Sequence, residues 1–570
     1  DPEALAVHFR AAGEETRAAE YALQAARRAR EALAFDREVE LLRLVLELGG
    51  QPEAERRTLT VELGEAATNA GRGAEAAAAY LAAAPGAKAG EAIVLRRRAA
   101  EQLLVSGRID EGLAAIEQVL ASIGMRLPKT ARAAFLSLVW RRLLLRLRGI
   151  RFRERDSTQV ASERLIAIDT CWSVTVGLGL VDTIRGLDFG TRGLLLALDA
   201  GEPSRVARAL ALEIGVSGTS GTKNVEATEE MVRQAMRLAK KLGEPRIEGL
   251  ATVTSGMAAY LRGDFSLARE RLERGERILR ERCRGVTWEL DTATTMLFRA
   301  LLFLGDWAEI RRRLPAALEG FAARGDLYAE TNVRSRMGWV ARLMQDQPEE
   351  ARHEARDAIA RWSHKSFHLQ HYWQLTGLAE IALYEGRGEA AWEVIESSWP
   401  KLADTHLLRV QFTRIEANHL RLRAAVAAMA ASGLDGDAYR RLQPLVRREL
   451  RKLERTAVAW AAPLIELLQA GIAAIEGHHE DAARLLANAA DGCDRSQLAL
   501  YAAAARMRLA QLLEHPDDER GRAGASYLRA QGALKPERWC DVLVPGFAAP
   551  RGRSGDPTGR SGAPLAVSTR

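Results

Sequence analysis

The chain has 570 residues, a length that excludes one ordinary hydrophobic core and indicates either several domains or an extended repeat array. Alanine, leucine, arginine and glutamate dominate and aromatic residues make up only 6%, a composition that favours α-helices. The formal net charge is +7, but 75 acidic residues are interleaved with 82 basic ones. We therefore expect solvated helix faces and no nucleic-acid-binding surface, which needs clustered basic residues.

A short turn motif, a glycine followed by a polar residue, recurs along the whole chain. One occurrence lies within YLRGDFSLARERLERGERIL (260–279), where the apolar residues on both sides of the glycine have helical spacing. Gly263 can end a helix in the left-handed conformation, and the side chain of Asp264 can cap the next helix. The motif predicts two antiparallel helices joined by a tight turn.

In the second half of the chain the turns are spaced by about 40 residues, the period of paired helices that stack into a solenoid. Asp346 takes the place of the glycine once. No such pair buries its own apolar stripe, so each pair needs its neighbours. The predicted fold is all-α, a solenoid of stacked antiparallel helix pairs. The turns begin near Gly13, Gly71, Gly107, Gly201, Gly263, Gly305, Gly386 and Gly477.

The regularity of this pattern divides the chain into four segments. Residues 1–125 and 225–547 are predicted to be arrays of helix pairs. Residues 126–224 are predicted to be a less regular helical segment that ends in a Gly/Ser/Thr loop, GVSGTSGTKN (215–224). The tail, 548–570, is rich in Gly, Pro, Ser and Arg without periodicity and is predicted to be disordered.

Cysteine usage and hydropathy bear on the location of the chain. The four cysteines are far apart and form no CxxC pair, which fits a reducing cytosol and not a disulfide framework or zinc ribbon. No uncharged apolar run reaches 18 residues, so we expect no membrane-spanning helix. The segment FLSLVWRRLLLRLRGIRF (135–152) would suit a helix in a membrane interface, but we expect a packed helix with one arginine-rich face.

Three short motifs resemble parts of nucleotide-binding sites but lack their context. Asp188-Phe189-Gly190 is the magnesium-binding tripeptide of protein kinases, yet the sequence has no glycine-rich loop, strand lysine or HRD loop. The segment 215–224 lacks the Gly-Lys-Ser/Thr ending of a P-loop, and GLGLVD (177–182) lacks the third glycine of a dinucleotide fingerprint. We predict a helix around Asp188, a loop at 215–224 and a helix junction at 177–182.

Histidines and tryptophans are concentrated in the second half of the chain. His364, His368 and His371 have the spacing i, i+4 and i+7, which would place them on one helix face, where two of them could reach a metal. HExxH is absent and no cysteine is near in sequence, so we interpret them as a polar helix face and expect no metal site. Tryptophans at helical spacing are interpreted mostly as core residues, with one or two as candidate ligand anchors: Trp288, Trp339, Trp362, Trp373, Trp392 and Trp399.

Several stretches, in a fixed order, resemble the C-terminal region of large bacterial signalling proteins. Those proteins join a serine/threonine kinase, an AAA/STAND-type ATPase and a tetratricopeptide-like (TPR-like) helical-repeat region. The start, DPEALAVHFRAAGEETRAAEYALQAARRAREALAFDREVELLRLVLEL, is similar to the junction that follows the ATPase module. The similarity continues through LLRLRGIRFRERD, IDTCWSVTVGLGLVDTIRGLDFGTRGLLLALDAGEPSRVARALALE, CRGVTWELDTATTMLFRALLFLGDW and RGDLYAETNVR, and ends at YLRAQGALKPERWCDVLVPGF.

The resemblance implies a TPR-like sensor or scaffold region that follows the catalytic modules of such a protein. ATP and Mg²⁺ would belong to those upstream modules, and no catalytic, cofactor-binding or metal-binding residue carries over to this chain. We therefore predict a cytoplasmic, non-catalytic region that binds a protein partner, or regulates its own upstream kinase and ATPase, through a concave surface. Candidate partner-binding residues on the first helices of the pairs are Arg299, Arg334 and Tyr372.

Two other classes of function stay open. The chain would be an enzyme if it carried ATPase or transferase activity itself, but it lacks a P-loop and kinase loops. It would be the repeat region of an ATPase-type (STAND) transcriptional regulator if DNA-reading helices followed the repeats. The sequence instead runs into VLVPGFAAPRGRSGDP, a poor recognition helix. ATP turnover by the chain and salt-dependent binding of duplex DNA distinguish these alternatives.

Overall fold

The computed structural model describes residues 1–514 and 518–547, apart from the side chains of residues 222–224. Within these ranges all regular secondary structure is helical and no β-strand occurs. Most helices pack against their neighbours in chain order, so the prediction of an all-α solenoid of helix pairs is confirmed. The tail predicted to be disordered, 548–570, lies outside the described residues.

The helices follow one another with short connections. The first part of the array contains α1 (Pro2–Ala11), α2 (Glu15–Glu31), α3 (Phe35–Leu48), α4 (Glu53–Asn69), α5 (Gly73–Ala83), α6 (Ala89–Val105), α7 (Ile109–Ser122), α8 (Ala131–Arg148), α9 (Ser162–Leu178), α10 (Thr183–Ala200), α11 (Pro203–Ser217), α12 (Val225–Leu242), α13 (Pro245–Arg262) and α14 (Phe265–Arg282). The second part contains α15 (Thr287–Leu304), α16 (Trp307–Arg324), α17 (Leu327–Val333), α18 (Trp339–Met344), α19 (Pro348–Asp357), α20 (Leu369–Tyr384), α21 (Gly388–Asp404), α22 (Gln411–Ser432), α23 (Asp437–Glu454), α24 (Ala462–Ile475), α25 (His479–Arg495), α26 (Ala499–Leu512), α27 (Glu519–Ala530) and α28 (Pro536–Leu543).

The turn motif has the structure that its sequence predicts. Gly263 ends α13 in the left-handed region, and the Asp264 carboxylate accepts a hydrogen bond from the backbone N–H of Leu267 at 3.2 Å. The apolar face of α14 is fully buried, with Ala268 and Leu272 at 0% exposure. All of the predicted turn glycines have positive φ, and Asp346 adopts the same region with φ of 58°. The repeated glycine therefore ends one helix while the following residues start its partner.

Helices that are far apart in the sequence contact one another, because successive superhelical turns of the solenoid touch. Helix α13 packs on α22, α15 on α26, and both α20 and α22 on α28. Polar contacts accompany this packing: the Tyr527 hydroxyl donates to the Gly305 carbonyl at 3.0 Å, and Gln370 Nε2 donates to the Leu180 carbonyl at 3.0 Å. These contacts give the inner side of the array a buried interior of its own.

The expectation of a loop at 215–224 is wrong. Helix α11 continues to Ser217 and is followed by a 3-10 segment, Gly218–Asn224, which is broken at Gly221. Helix α11 packs on both α12 and α13, so helix packing continues across this segment. Gly and Ser residues predict a loop by local propensity, but here the segment is held between α11, α13 and α22. The domain boundary at residue 224 stays a prediction.

A π-helical turn, Arg334–Gly338, joins α17 and α18. Such turns add one residue to a helix and change the direction of the side chains around them. Arg336, within the turn, is 6% exposed, whereas Arg334 two residues earlier is only partly buried. The turn therefore directs one arginine into the interior of the solenoid.

Candidate functional site

The inner side of the solenoid contains a cavity of about 150 Å³, which we call the lumen cavity. Residues of α9, α10, α11, α13, α15, α17, α20 and α22 contribute to its wall. Most of that wall is apolar, and no histidine, cysteine, lysine or aspartate side chain of the described residues lines it. Glu289 is its one carboxylate among them, and its Oε1 accepts from Arg246 Nε at 2.7 Å. This composition suits binding rather than acid–base or nucleophilic chemistry. Apolar wall residues include Leu187, Leu250, Val253, Met257, Met296 and Phe412.

Five residues on the wall carry a buried polar atom without a hydrogen-bond partner in the described part of the chain: Trp288, Thr292, Arg299, Tyr328 and Trp373. Three of these atoms, Thr292 Oγ1, Arg299 Nη1 and Trp373 Nε1, lie on α15 and α20, in residues that are more than nine-tenths buried. Buried polar groups of folded proteins are nearly always hydrogen-bonded, and an unpaired one costs about 1–3 kcal/mol. All three groups are able to donate, so the wall offers donors that the protein itself leaves unused.

Arg299 also belongs to a group of five charged residues, which we call the buried charge cluster. Arg423 Nη2 lies 2.7 Å from Glu380 Oε1, and Arg336 Nη2 lies 3.4 Å from Glu416 Oε1. Each of the five side chains is at most 11% exposed. Three guanidinium groups face two carboxylates, so the cluster carries an excess of one positive charge. Its members are Arg299, Arg336, Glu380, Glu416 and Arg423.

Aromatic groups, rather than a carboxylate, hold the guanidinium of Arg299. Its Nε and Nη2 donate to the Tyr260 hydroxyl at 3.2 and 2.8 Å. The guanidinium carbon lies 4.6 Å from the centre of the Trp373 ring and 5.1 Å from that of Tyr260. Among the described residues only the carboxylate of Glu416 comes within 4.0 Å of a nitrogen of Arg299. Arg299 is therefore the member of the cluster whose charge is least compensated.

The protonation states of nearby groups preserve this excess of positive charge. Burial alone lowers the pKa of Arg336, but Glu380 and Glu416 raise it above its ordinary value. Burial raises the pKa of Tyr260, so its hydroxyl stays neutral. Burial also lowers the pKa of His419 well below its ordinary value, so this imidazole stays neutral and adds no charge.

Two of the three predicted partner-binding residues meet at this cluster. Arg299 on α15 lies beside Glu416, and the Tyr372 hydroxyl on α20 donates to the same carboxylate at 3.1 Å. Both residues are buried, at 7% and 1% exposure, so neither lies on an open groove surface. Arg334 lies apart from them, because its guanidinium pairs with Glu354 and Asp357.

Sequence reasoning missed the other members of the cluster. Arg423 lies within RLRAAVAAM (421–429), where helical periodicity assigns it to an otherwise apolar buried stripe. A charged residue in such a position is the only sequence signal for a buried ion pair. That signal does not identify the other members of the cluster. Arg336 lies in the π-helical turn before α18, Glu380 in α20 and Glu416 in α22.

Helix α8 presents a second feature, an apolar face that points away from the protein. Ala134, Leu138 and Leu145 are buried where α8 packs on α10. Phe135 is partly buried, and the remaining large apolar side chains are exposed; we call these exposed side chains the outward face of α8. Six of the fourteen exposed large hydrophobic residues in the described ranges lie on this helix. The outward face consists of Leu136, Val139, Trp140, Leu143, Leu144 and Leu147.

Three of the five arginines of α8 are directed toward the protein, whereas Arg132 and Arg146 are exposed. Arg141 Nε lies 2.8 Å from Asp188 Oδ1, Arg148 Nε lies 2.8 Å from Asp199 Oδ1, and Arg142 pairs with Glu213. The prediction of a packed helix is confirmed, but its apolar side was not expected to face outward. Ion pairs with buried acids on α10 and α11 explain the orientation, because Asp188 and Glu213 need basic partners.

The motifs that resemble catalytic elements have structural positions. Asp188 lies within α10, as predicted, and its carboxylate pairs with Arg141. The prediction that three histidines share a helix face is wrong, because α20 begins only at Leu369. His368 precedes this helix, and its backbone N–H donates to His371 Nδ1 at 3.0 Å. In residues 1–514 and 518–547, no group of three or more His, Cys, Asp or Glu side chains is placed to hold a metal ion.

Sequence comparison assigns no function to these features. No model of a known protein family matches the chain. No curated protein shows significant sequence similarity to it. None of the helices formed by the described residues has both the length and the apolarity needed to span a bilayer.

Proposed function

We propose that this chain is a non-catalytic interaction and sensor region of a bacterial serine/threonine kinase–ATPase signalling protein. In this proposal the outward face of α8 docks on the upstream ATPase and kinase modules and restrains them. The observation that carries it is the outward face itself, a stripe of large apolar side chains on one helix of an otherwise well-packed array. The sequence resemblance supplies the identity of the partner.

The spacing of the outward face suits a protein partner. Its six residues recur at intervals of three and four, so they form one stripe along the helix. From Leu136 to Leu147 this stripe is about 16 Å long, which fits a groove between helices of another folded module. Contiguous apolar patches of this kind are rare on monomeric proteins and mark interaction sites.

The charges around the stripe favour a protein over a lipid surface. Helices that lie in a membrane interface carry free Lys and Arg residues on their polar face. Here Arg141, Arg142 and Arg148 are engaged by Asp188, Glu213 and Asp199 within the protein, and the other two arginines of the helix, Arg132 and Arg146, are exposed. Most of the polar side of α8 is thus used for intramolecular packing, which leaves its apolar side for a partner.

The test compares two charge substitutions on the outward face with a matched one elsewhere. The double variant Leu143→Glu/Leu147→Glu places carboxylates in the stripe, whereas Val7→Glu changes an exposed apolar residue of α1. Binding of the separately expressed kinase–ATPase portion is measured by surface plasmon resonance. Because burying each leucine contributes about 1.5–3 kcal/mol, we expect the double variant to raise the Kd at least about 100-fold. Val7→Glu should leave the Kd unchanged.

Four results would contradict the proposal. Equal affinity of the wild-type and double-variant chains would exclude the outward face as the docking surface. Binding of α8 to anionic lipid vesicles, without binding to the modules, would identify a membrane surface instead. Turnover of ATP by the chain alone would contradict its non-catalytic role, and salt-dependent binding of duplex DNA would favour the transcriptional-regulator alternative.

A further inference from the structure

The size of the lumen cavity limits what it can hold. A cavity of about 150 Å³ is known to accept a benzene-sized molecule when its wall is apolar. Leucine, valine, methionine and aromatic side chains supply most of the wall here. A matching ligand therefore has one ring or one short branched chain, with room for a small polar group.

The positive charge of Arg299 and the cluster behind it determines which polar group of a ligand the lumen cavity favours. Arg299 lines the cavity, is more than nine-tenths buried, and has its only described carboxylate neighbour 4.0 Å away. The cluster behind it holds one more guanidinium than carboxylate. A buried charge without a partner is costly, so a single negative charge at this place would stabilise the protein.

The unused donors point to the same chemistry. The Thr292 hydroxyl, the Arg299 Nη1 and the Trp373 indole N–H all lack an acceptor, and they belong to residues on one wall formed by α15 and α20. A carboxylate has two oxygens that accept several hydrogen bonds and pairs well with a guanidinium. An ammonium or amidinium ligand would instead add positive charge to a cluster that already has an excess.

We propose that the lumen cavity binds a small monocarboxylic acid, with its carboxylate at Arg299 and its ring or short branched chain against the apolar wall. One negative charge balances the excess of the buried charge cluster. A phosphate ester fits less well, because it carries about two negative charges at neutral pH and has a larger polar head. This site lies in the solenoid interior and is independent of the outward face of α8.

Benzoate is the first probe, because its single ring matches the size of the cavity. Benzamide has the same shape without charge, and benzamidine has nearly the same shape with the opposite charge. Isothermal titration calorimetry of the full chain with each compound separates the contribution of the ligand's charge to the affinity from that of its shape. We expect benzoate to bind with a Kd of about 1 mM or below, benzamide at least about tenfold more weakly, and benzamidine not at all.

Two threonines on α15 provide a matched pair of variants. The hydroxyls of Thr292 and Thr295 are both buried and without a partner, but only Thr292 lines the cavity. Replacing either by valine removes an unsatisfied hydroxyl and keeps the shape, so both variants should fold. We expect Thr292→Val to weaken benzoate binding several-fold and Thr295→Val to leave it unchanged. Arg299→Gln should remove the preference for benzoate over benzamide.

The outcomes decide the proposal whether or not Arg299→Gln folds. Preference for benzoate that is lowered by Thr292→Val and not by Thr295→Val supports it. Absence of benzoate binding, equal affinity for benzoate and benzamide, or equal effects of the two threonine substitutions overturns it. Loss of α8 docking in the separate binding experiment would leave these results unaffected, so the two proposals fail independently.

Discussion

Gly263, at the end of α13, lies directly against the indole ring of Trp460 from the next turn of the solenoid. A Cβ atom placed on Gly263 would lie 1.9 Å from Trp460 Cδ1, and the φ of this residue is 86°. The glycine therefore ends a helix and also leaves room for the contact between successive turns. Phe265, Phe303 and Phe412 pack around the same indole ring.

Replacing Gly263 by alanine should destabilise the solenoid more than the same change at the glycine of another connection between helices. Gly386 has a similar φ of 71° but no atom within 4 Å of a built Cβ, so Gly386→Ala reports the left-handed strain alone. We expect that strain to cost about 1–2 kcal/mol and the clash at Trp460 to add about 1–3 kcal/mol. Thermal unfolding followed by circular dichroism measures both. Equal shifts of the two midpoints would show that the contact with Trp460 contributes nothing.

The buried charge cluster should respond asymmetrically to the loss of a glutamate and of an arginine. Glu416→Gln raises the excess of positive charge and leaves Arg336 and Arg299 poorly compensated, so it should cost about 3–5 kcal/mol. Arg299→Met removes the excess charge and should cost clearly less. Urea unfolding of both variants measures the difference.

A surface substitution provides the reference for this comparison. Glu40→Gln changes an exposed glutamate that pairs only with Arg37 among the described residues, and it should alter stability by less than about 0.5 kcal/mol. If Arg299→Met costs as much as Glu416→Gln, the cluster does not carry the excess charge that we infer.

Acidification should loosen the segment before α20 through His371. Burial, together with His368, His364 and Lys401, lowers the pKa of His371 to about 4, from an ordinary 6.5. Between these two values the unfolded chain binds a proton that the folded chain does not, so stability falls as the pH falls from 6.5 toward 4. The neutral imidazole also accepts the backbone N–H of His368.

Thermal midpoints at pH 7.5 and pH 5.0 test this contribution. The wild-type midpoint should fall on acidification, and His371→Leu should reduce that fall while lowering stability at pH 7.5. His353→Leu, which changes an exposed histidine of α19, should keep the full wild-type difference. The same pH difference in all three proteins would show that His371 makes no contribution.

Local sequence signals predicted much of the fold and little of the site. Gly263 and Asp264 identified a helix end and a helix start, because both effects act within a few residues. The segment 215–224, predicted as a loop, is mostly helical, because tertiary packing overrides the loop propensity of Gly and Ser. The ion pairs of Glu380 and Glu416 depend on which helices meet in the solenoid interior, and the period of the repeats does not contain that information.

Cysteine reactivity should report the same burial pattern. Burial raises the pKa of Cys171 and of Cys540 to about 12, and Cys493 is buried as well. Cys283 is only partly buried. We expect one thiol of the native chain to react with Ellman's reagent and all four to react in denaturant. Cys283→Ser should abolish the native reaction, and a second fast-reacting thiol would contradict the described packing.

The most direct test of the proposed function is a photo-crosslink from the outward face of α8. A benzophenone amino acid replaces Trp140, which is 61% exposed at the centre of that face, and in a control chain it replaces Val7, which is 60% exposed on α1. Each chain is irradiated with the separately expressed kinase–ATPase portion, and crosslinked peptides are identified by mass spectrometry. We predict crosslinks to the ATPase or kinase module from position 140 and none from position 7. Equal crosslinking from both positions, or none from position 140, would contradict docking through α8.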